Sequence, residues 1–298
     1  MDDAFPAPPV ARPRRSALYM PASRARALEK ARTLPADVLL LDLEDAVAPS
    51  EKESARTSLA AALTEGGYAP RETVVRVNGA GTPWSADDLS MAAGSGTDAV
   101  LLPKIESGAA VDAAAWMLDA GGAGAMPIWV MIETPLGILN AAEIAAHPRV
   151  ACLVLGTNDL MADMRAEALP GRASLLPALV QAVLAARAHG VSVLDGVYNA
   201  FKDETGLEEE ARQGRALGMD GKTLIHPAQL AIANRVFAPD PDAVARARTE
   251  VAAFEAAEAR GEGIAVVEGR IVENLHAAAG RRLIAEAEAI ARLEAATA

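Results

Sequence analysis

The sequence has a single cysteine, only four histidines and no long apolar segment. Cys152 lies inside an apolar run and has no second cysteine, which excludes an internal disulfide and predicts a place in the core. No group of histidines and cysteines has the spacing of a zinc site. Because no stretch is long enough for a signal peptide or a membrane span, we expect a soluble, cytoplasmic protein.

Positive charge is also scarce. The chain has 28 Lys and Arg against 40 Asp and Glu, a formal net charge of -12. Such a chain repels polyphosphate backbones, so nucleic acid is not an expected partner. The cations that are present concentrate near the N terminus, at Arg12, Arg14, Arg15, Arg24, Arg26 and Lys30, where a small phosphorylated ligand could still bind.

Eight short apolar runs recur along the chain, and helical periodicity fills most of the intervals. The runs are residues 16–21, 38–45, 73–78, 99–104, 128–133, 150–159, 191–196 and 221–226. Predicted helices cover residues 23–33, 50–65, 107–120, 175–189, 207–217 and 227–236. This alternation is typical of an α/β protein with a closed TIM (β/α)8 barrel. A doubly wound open sheet is the alternative, but no G-x-G-x-x-G follows the first strand.

The pattern divides the chain into three parts. Residues 1–12 are Pro-rich and predict a disordered leader, and residues 13–240 form the catalytic barrel. Residues 241–298 form an arm with a helix over 242–260, a hairpin over 264–272 turning at Glu268 and Gly269, and a last helix over 280–297. A barrel does not need this arm to close, so we expect a lid that reaches a neighbouring subunit.

Polar residues end most of the apolar runs, where a barrel carries its catalytic groups. They are Asp42, Glu44, Asp45, Arg76, Asn78, Lys104, Glu133, Asn158, Asp159, Asp195, Lys222 and His226. Burying an unpaired charge is costly, so these groups must pair, bind a metal or face a wet cavity.

Two of these carboxylates predict a metal site. Glu133 and Asp159 end consecutive predicted strands, which lie about 4.8 Å apart in a sheet. At that spacing both reach one Mg²⁺ and leave its other positions to water and substrate. The alternative is that each carboxylate caps a helix or pairs with an arginine.

The cations at the strand ends allow two interpretations each. Arg76 presents a planar fork to a substrate carboxylate or oxyanion, or it pairs with Asp42, Glu44 or Asp45. Lys104 forms a Schiff base or an ion pair with a strand-end carboxylate. His226 acts as a general base or, more commonly for such a histidine, anchors the start of the last helix of the barrel.

Seven motifs in order resemble one known family. They are Arg15-Ser-Ala-Leu-Tyr-Met-Pro21, Leu41-Asp-Leu-Glu-Asp-Ala-Val47, Arg76-Val-Asn78, Pro103-Lys104, Ile132-Glu-Thr-Pro-Leu-Gly137, Gly156-Thr-Asn-Asp-Leu160 and Asp220-Gly-Lys-Thr-Leu-Ile-His-Pro227. Over roughly residues 15–278 the chain resembles the citrate lyase β-subunit-like group of the HpcH/HpaI aldolase superfamily, which includes malyl-CoA and citramalyl-CoA lyases.

The resemblance implies roles for particular residues. Glu133 and Asp159 would hold one Mg²⁺ per subunit, and Arg76 would contact a 2-oxo acid. The carboxylates of Asp42, Glu44 and Asp45 would support that site. The CoA part of the substrate would lie near Arg24, Lys30 and Tyr19, where Tyr19 replaces the family's usual phenylalanine. Homotrimers or hexamers are expected, in which the arm of one subunit covers the site of its neighbour.

The arm departs from the family pattern. In the lyases an aspartate followed two residues later by proline supplies an acid/base group across the subunit interface. The matching stretch here is Gly269-Arg-Ile-Val-Glu-Asn-Leu275, with Glu273 in place of the aspartate. A carboxylate is kept but is one methylene longer, which changes the geometry of proton transfer.

The expected function is therefore Mg²⁺-dependent carbon-carbon cleavage. The substrate would be a 3-hydroxy-3-carboxyacyl-CoA such as malyl- or citramalyl-CoA, split to acetyl-CoA and a 2-oxo acid. Three alternatives stay open. The barrel would act on an acyl-carrier-protein thioester as a citrate lyase β-subunit, hydrolyse malyl-CoA as a thioesterase, or serve as a catalytically weak binding homologue.

Overall fold

A closed parallel barrel of eight strands forms the main part of the structure, a computed structural model that describes residues 12–297. Its strands are β1 Ser16–Pro21, β2 Val38–Asp42, β3 Glu72–Arg76, β4 Ala99–Leu102, β5 Ile128–Ile132, β6 Val150–Leu155, β7 Ser192–Asp195 and β8 Gly221–Leu224. Every neighbouring pair is parallel, and β8 pairs with β1 to close the ring. The predicted TIM barrel is confirmed, and each predicted run overlaps one strand, although β3 begins one residue before its run. Residues 1–11 of the predicted leader lie outside the described residues.

Helices surround the strands. They are α1 Ala25–Ala31, α2 Lys52–Glu65, α3 Ser85–Gly94, α4 Gly108–Ala120, α5 Pro135–Leu139, α6 Ala141–Ala145, α7 Thr157–Asp163, α8 Leu176–His189, α9 Glu204–Leu217 and α10 Leu230–Phe237. Short 3₁₀ turns cover Pro49–Glu51, Pro170–Arg172 and Pro227–Gln229. The sequence patterns predicted six of these ten helices. They gave no helix for α3, where polar residues and glycines dilute the apolar periodicity.

Strand alternation decides which side chains enter the barrel. Successive residues of a strand point to opposite faces, and the interior cluster includes Leu40, Val74, Trp129 and Leu194. Counting by two from these positions brings the side chains of Asp42 and Arg76 to the inner face at the carboxyl ends of β2 and β3. By the same count, Asp195 of β7 points outward to the helix layer.

The described part of the arm contains four elements. They are α11 Pro241–Glu258, β9 Ala265–Val267, β10 Arg270–Val272 and α12 Asn274–Thr297. The predicted hairpin turn is confirmed, because Glu268 and Gly269 both have positive φ, 48° and 76°. The prediction that the last helix starts at Gly280 was wrong, since α12 begins at Asn274. Gly280 lies inside α12 where α11 approaches closely: a Cβ there would lie 2.9 Å from Val251 Cγ2.

Residues 14–237 form one compact unit, and residues 238–297 belong to a second. In neither part of the described chain is any helix long and apolar enough to cross a membrane.

Candidate active site at the mouth of the barrel

A cavity of about 360 Å³ opens at the carboxyl ends of the strands. Residues of β1, β2, β3, β5, β6 and β8, of the loops after β2, β5, β7 and β8, and of the start of α7 line it. The lining includes Tyr19, Asp42, Asp45, Arg76, Met131, Glu133, Thr157, Asn158, Asp159, Asn199, Thr223 and Ile225. Six of the residues predicted for the site, Tyr19, Asp42, Asp45, Arg76, Glu133 and Asp159, therefore meet in one place.

Arg76 is held on three sides. Its Nε and Nη2 each donate to Asp42 at 2.7 Å, and its Nη1 lies 2.9 Å from Glu44 Oε2 and 3.3 Å from Asp45 Oδ2. The guanidinium carbon lies 4.6 Å from the centroid of the Tyr19 ring. Burial alone would lower the pKa of Arg76, but its bonds to Asp42 and the other nearby anions raise the pKa by more. The net shift is upward, so the guanidinium stays charged. The predicted ion pairs are present, and only the Asp45 side, 74% exposed, is open to displacement by a substrate anion.

Asp42 also folds the loop that brings Glu44 and Asp45 to Arg76. Its two carboxylate oxygens accept from the backbone N–H groups of Glu44 at 2.9 Å and Ala46 at 3.2 Å. Lys52 Nζ donates to the carbonyl of Glu44 at 2.7 Å. The chain therefore turns back over the end of β3 directly after β2, and its acidic side chains face Arg76.

Glu133 is buried directly after β5, and among residues 12–297 no cationic side chain forms an ion pair with it. Its Oε1 accepts from the backbone N–H of Lys104 at 2.8 Å. Burial raises its pKa to about 7, and the neighbouring carboxylates of Glu44 and Asp159 add to the rise. Gly156 makes room for it, because a Cβ at that position would lie 2.5 Å from Glu133 Oε2.

Asp159 lies in the first turn of α7, four residues beyond the end of β6. The prediction that it ends a strand was wrong, because β6 stops at Leu155 and Gly156 starts the turn into the helix. The carboxylate still lines the cavity and lies 3.7 Å from Lys104 Nζ, with both side chains about half exposed. Partial burial lowers the pKa of Lys104, but Asp159 and other carboxylates raise it more. A protonated amine does not form a Schiff base, so the ion-pair interpretation of Lys104 fits the structure.

The charges at the barrel mouth do not balance. Arg76 and Lys104 form the ion pairs, and the buried ammonium of Lys52 lies near Asp42, Glu44 and Asp45. These three cations face five carboxylates, those of Asp42, Glu44, Asp45, Glu133 and Asp159. Within residues 12–297, no three His, Cys, Asp or Glu side chains are grouped so as to hold a metal by themselves. A pair of carboxylates completed by water and substrate oxygens is the donor set that suits Mg²⁺, and the residues at this mouth fit it.

Other residues predicted for the site lie elsewhere. Arg24 precedes α1 and Lys30 is in its last turn, both exposed and neither in the cavity lining. Glu273 lies exposed in the second unit, directly before α12, and its backbone N–H donates to His276 Nδ1 at 3.2 Å. The roles predicted for these three residues stay predictions.

Three strand-end residues that were candidates for the functional site have structural roles instead. His226 caps the 3₁₀ turn that leads into α10, since its Nδ1 accepts from the N–H of Ala228 at 3.1 Å. Lys222 and Asp195 point outward and pair at 3.1 Å with no exposure of either side chain.

Sequence reasoning included Asn158 among its candidates but missed Asn199, its partner in an amide pair at the cavity rim. Asn158 and Asn199 donate to each other at 3.3 and 2.9 Å, which ties the start of α7 to the loop after β7. The signal was present in the sequence, because Asn199 follows a strand end in a barrel and such loops carry functional residues.

The comparisons with known proteins agree with this geometry. A family model described as HpcH/HpaI aldolase/citrate lyase matches residues 15–227. The chain belongs to that family. The resemblance inferred from the seven motifs is therefore confirmed.

Members of the family with two different activities are similar to this chain. A (3S)-malyl-CoA thioesterase of Cereibacter sphaeroides is 52% identical over 281 residues, 94% of this chain and 97% of the relative. An L-malyl-CoA/beta-methylmalyl-CoA lyase of the same species is 37% identical over an alignment of 309 positions that covers 95% of this chain and 97% of the relative.

A solved structure of the family shares the fold. The protein CitE of Mycobacterium tuberculosis, in complex with magnesium, acetoacetate and coenzyme A, matches with a TM-score of 0.74 and 31% identity. The match covers 94% of this chain and 100% of that chain.

Proposed function

We propose that this protein is a Mg²⁺-dependent enzyme that cleaves a 3-hydroxy-3-carboxyacyl-CoA of the malyl-CoA type. The observation that carries the proposal is the excess of carboxylates at the barrel mouth, with Glu133 and Asp159 beside Arg76. The magnesium and coenzyme A in the related CitE complex, and the malyl-CoA named in both groups of relatives, support the cofactor and the substrate class.

The first candidate reaction is carbon-carbon cleavage. The bond between the hydroxyl-bearing carbon and the carbon next to the thioester breaks. The electron pair goes to the thioester side as an enolate, and the hydroxyl carbon becomes the carbonyl of the 2-oxo acid as its hydroxyl proton leaves. Mg²⁺ held by Glu133 and Asp159 supplies a Lewis acid that polarises the hydroxyl and carboxylate oxygens.

Arg76 stabilises charge on the oxygens of the substrate. Asp42 and the Tyr19 ring hold its guanidinium in one orientation, so little rearrangement is needed when the substrate arrives. The substrate carboxylate takes the side that Asp45 occupies in this structure, because that is the exposed partner of Arg76.

The CoA part and the proton transfer involve residues beyond the cavity. Arg24 and Lys30, exposed at α1, bind the CoA phosphates in this proposal. Glu273 of a neighbouring subunit exchanges a proton with the enolate carbon, which requires an oligomer, and the form proposed is a homotrimer or hexamer. A Glu273→Gln variant that keeps full activity would contradict this role.

Hydrolysis of the thioester is the second candidate reaction. The higher identity to a (3S)-malyl-CoA thioesterase than to the lyase favours it. In that case water attacks the thioester carbon, the C–S bond breaks, and free CoA and malate leave.

The products distinguish the two reactions. Incubation with Mg²⁺ and (3S)-malyl-CoA, followed by mass analysis, gives acetyl-CoA and glyoxylate from the lyase and CoA and malate from the thioesterase. A parallel sample in EDTA tests the metal. Turnover that is undiminished in EDTA, or no turnover of malyl-, methylmalyl- or citramalyl-CoA, would contradict the proposal.

A further inference from the structure

Lys104 has an unusual backbone between β4 and α4. Leu102 at the end of β4 pairs with Val130 of β5. Three residues later, the N–H of Ile105 donates to the carbonyl oxygen of Met131, also in β5, at 3.3 Å. Between these points Pro103 has no N–H to donate, and Lys104 has a φ of 53°. A non-glycine residue in the left-handed region is strained, and such strain collects at functional sites.

This backbone lets one residue contact both proposed metal ligands. The N–H of Lys104 donates to Glu133 at 2.8 Å, and its ammonium lies 3.7 Å from Asp159. Within the described residues, the ion pairs of the cavity carboxylates are made by Arg76 and Lys104 alone, and Arg76 takes Asp42, Glu44 and Asp45. Lys104 is thus the cation that lies beside Glu133 and Asp159.

The two contacts differ in how easily they are exchanged. The Lys104 and Asp159 side chains are 59% and 47% exposed, and exposed ion pairs of this length are weak. A divalent cation bound directly to both carboxylates replaces such a pair. The N–H bond to Glu133 is made by the backbone and persists when the side chain moves away.

We propose that Lys104 is a positioning residue with two separable functions. Its ammonium is an internal counter-ion that stands in for the charge of Mg²⁺ and is displaced when the metal binds. Its backbone N–H orients Glu133 in both states. This inference rests on the proposed function, because it takes Glu133 and Asp159 as the metal ligands.

The counter-ion is tested by calorimetric titration of the chelator-treated protein with MgCl2, without any thioester. Lys104→Met removes the competing cation, so the Kd for Mg²⁺ should fall about 3- to 10-fold. Lys202→Met is the matched control, since Lys202 is exposed, its ammonium lies 5.8 Å from the Phe201 ring centroid, and it has no place in the cavity lining. The control should bind Mg²⁺ as the wild type does.

The backbone function is tested by comparing Lys104→Gly with Lys104→Ala. Both lack the ammonium, but glycine accepts the left-handed backbone and alanine is strained in it. Lys104→Ala should melt about 2–4 °C lower than Lys104→Gly. It should also bind Mg²⁺ more weakly than Lys104→Gly does, because strain at a residue with a Cβ favours backbone conformers in which the N–H turns away from Glu133.

Each contrary result has its own meaning. If the wild type binds Mg²⁺ and Lys104→Met binds it equally or more weakly, the counter-ion function is wrong. Equal Kd values and melting temperatures for the glycine and alanine variants overturn the backbone function. A wild type that binds no Mg²⁺ overturns the proposed metal site and this inference with it.

Discussion

Two clusters of charged side chains in the barrel differ in their balance. On the outer face of β7 and β8, Lys222 Nζ lies 2.6 Å from Glu210 and 3.1 Å from Asp195. Arg172 bonds both carboxylate oxygens of Asp195, at 2.7 and 2.9 Å. Two cations meet two carboxylates there. At the barrel mouth, three cations, Arg76, Lys104 and Lys52, meet five carboxylates, and burial raises the pKa of two of these carboxylates to about 7.

The difference separates structural charge from functional charge. The outer cluster has every charge matched and little solvent, so it stabilises the packing of α9 on β7 and β8 but has nothing left to offer a ligand. The inner cluster keeps an excess of negative charge beside a cavity, which costs stability in the absence of a cation. A site that binds a metal has this property, and the four predictions below test whether the two clusters differ as stated.

Glu133→Gln should have the largest effect on activity. Gln keeps the size of the side chain and its bond to the Lys104 N–H but removes a metal ligand, so thioester cleavage should fall at least about 10³-fold. The free energy of unfolding should stay equal or rise, since a buried carboxylate is removed. Product formation followed by mass spectrometry and a urea titration measure the two quantities. Lost stability together with lost activity would contradict the functional assignment.

Lys222→Met should show the opposite pattern. It leaves Asp195 and Glu210 without their buried cation, so the free energy of unfolding should fall by about 3–5 kcal/mol. Lys104→Met is the matched control at the exposed pair and should cost less than about 1 kcal/mol. Urea titrations of both variants make the comparison. Equal losses would show that the two clusters do not differ.

Arg76→Lys should give an intermediate loss. Lysine keeps the charge but lacks the planar guanidinium of arginine. In Arg76, two nitrogens bond Asp42 and the third, Nη1, is presented to the substrate. We expect kcat to fall about 10²-fold, with Mg²⁺ affinity nearly unchanged. Steady-state kinetics and calorimetry measure these. A variant that keeps wild-type kcat would show that charge alone suffices at this position.

Glu44→Gln should give the smallest effect, a change in how stability depends on pH. Burial raises the pKa of Glu44 from 4.5 to about 7, although Arg76 opposes the shift. The folded protein therefore holds this proton more tightly than the unfolded chain, and wild-type stability falls as pH rises through that window.

The Gln variant lacks this proton. From pH 5 to pH 8 its stability relative to the wild type should rise by on the order of 1 kcal/mol. Urea midpoints in the presence of a chelator measure it. A stability difference that is the same at both pH values would contradict the raised pKa.

Much of this site was predictable from the sequence, because apolar runs mark buried strands and the carboxyl ends of parallel strands meet at one edge. It correctly predicted that Asp42, Arg76 and Glu133 lie together at the mouth of the barrel. It placed Asp159 at the end of a strand, although the residue lies in α7. The apolar run stops at Leu155, and the polar residues 156–159 that follow are compatible with either the end of a strand or the start of a helix.

The sequence did not predict whether a strand-end side chain points into the barrel or out toward the helices. Asp195 and Lys222 looked equivalent to the other strand-end charges, yet they point outward. A shift of one residue in a strand moves a side chain to the opposite face, so an apolar run of uncertain length leaves the face undetermined. The left-handed backbone of Lys104 was equally hidden, since no glycine marks it.

The central claim is that Glu133 and Asp159 hold one Mg²⁺ per chain. Calorimetric titration of MgCl2 into chelator-treated wild type, Glu133→Gln and Asp159→Asn tests it most directly. We predict one bound Mg²⁺ for the wild type and a loss of affinity of at least about 10-fold in each variant. Variants that bind Mg²⁺ as tightly as the wild type would contradict the claim.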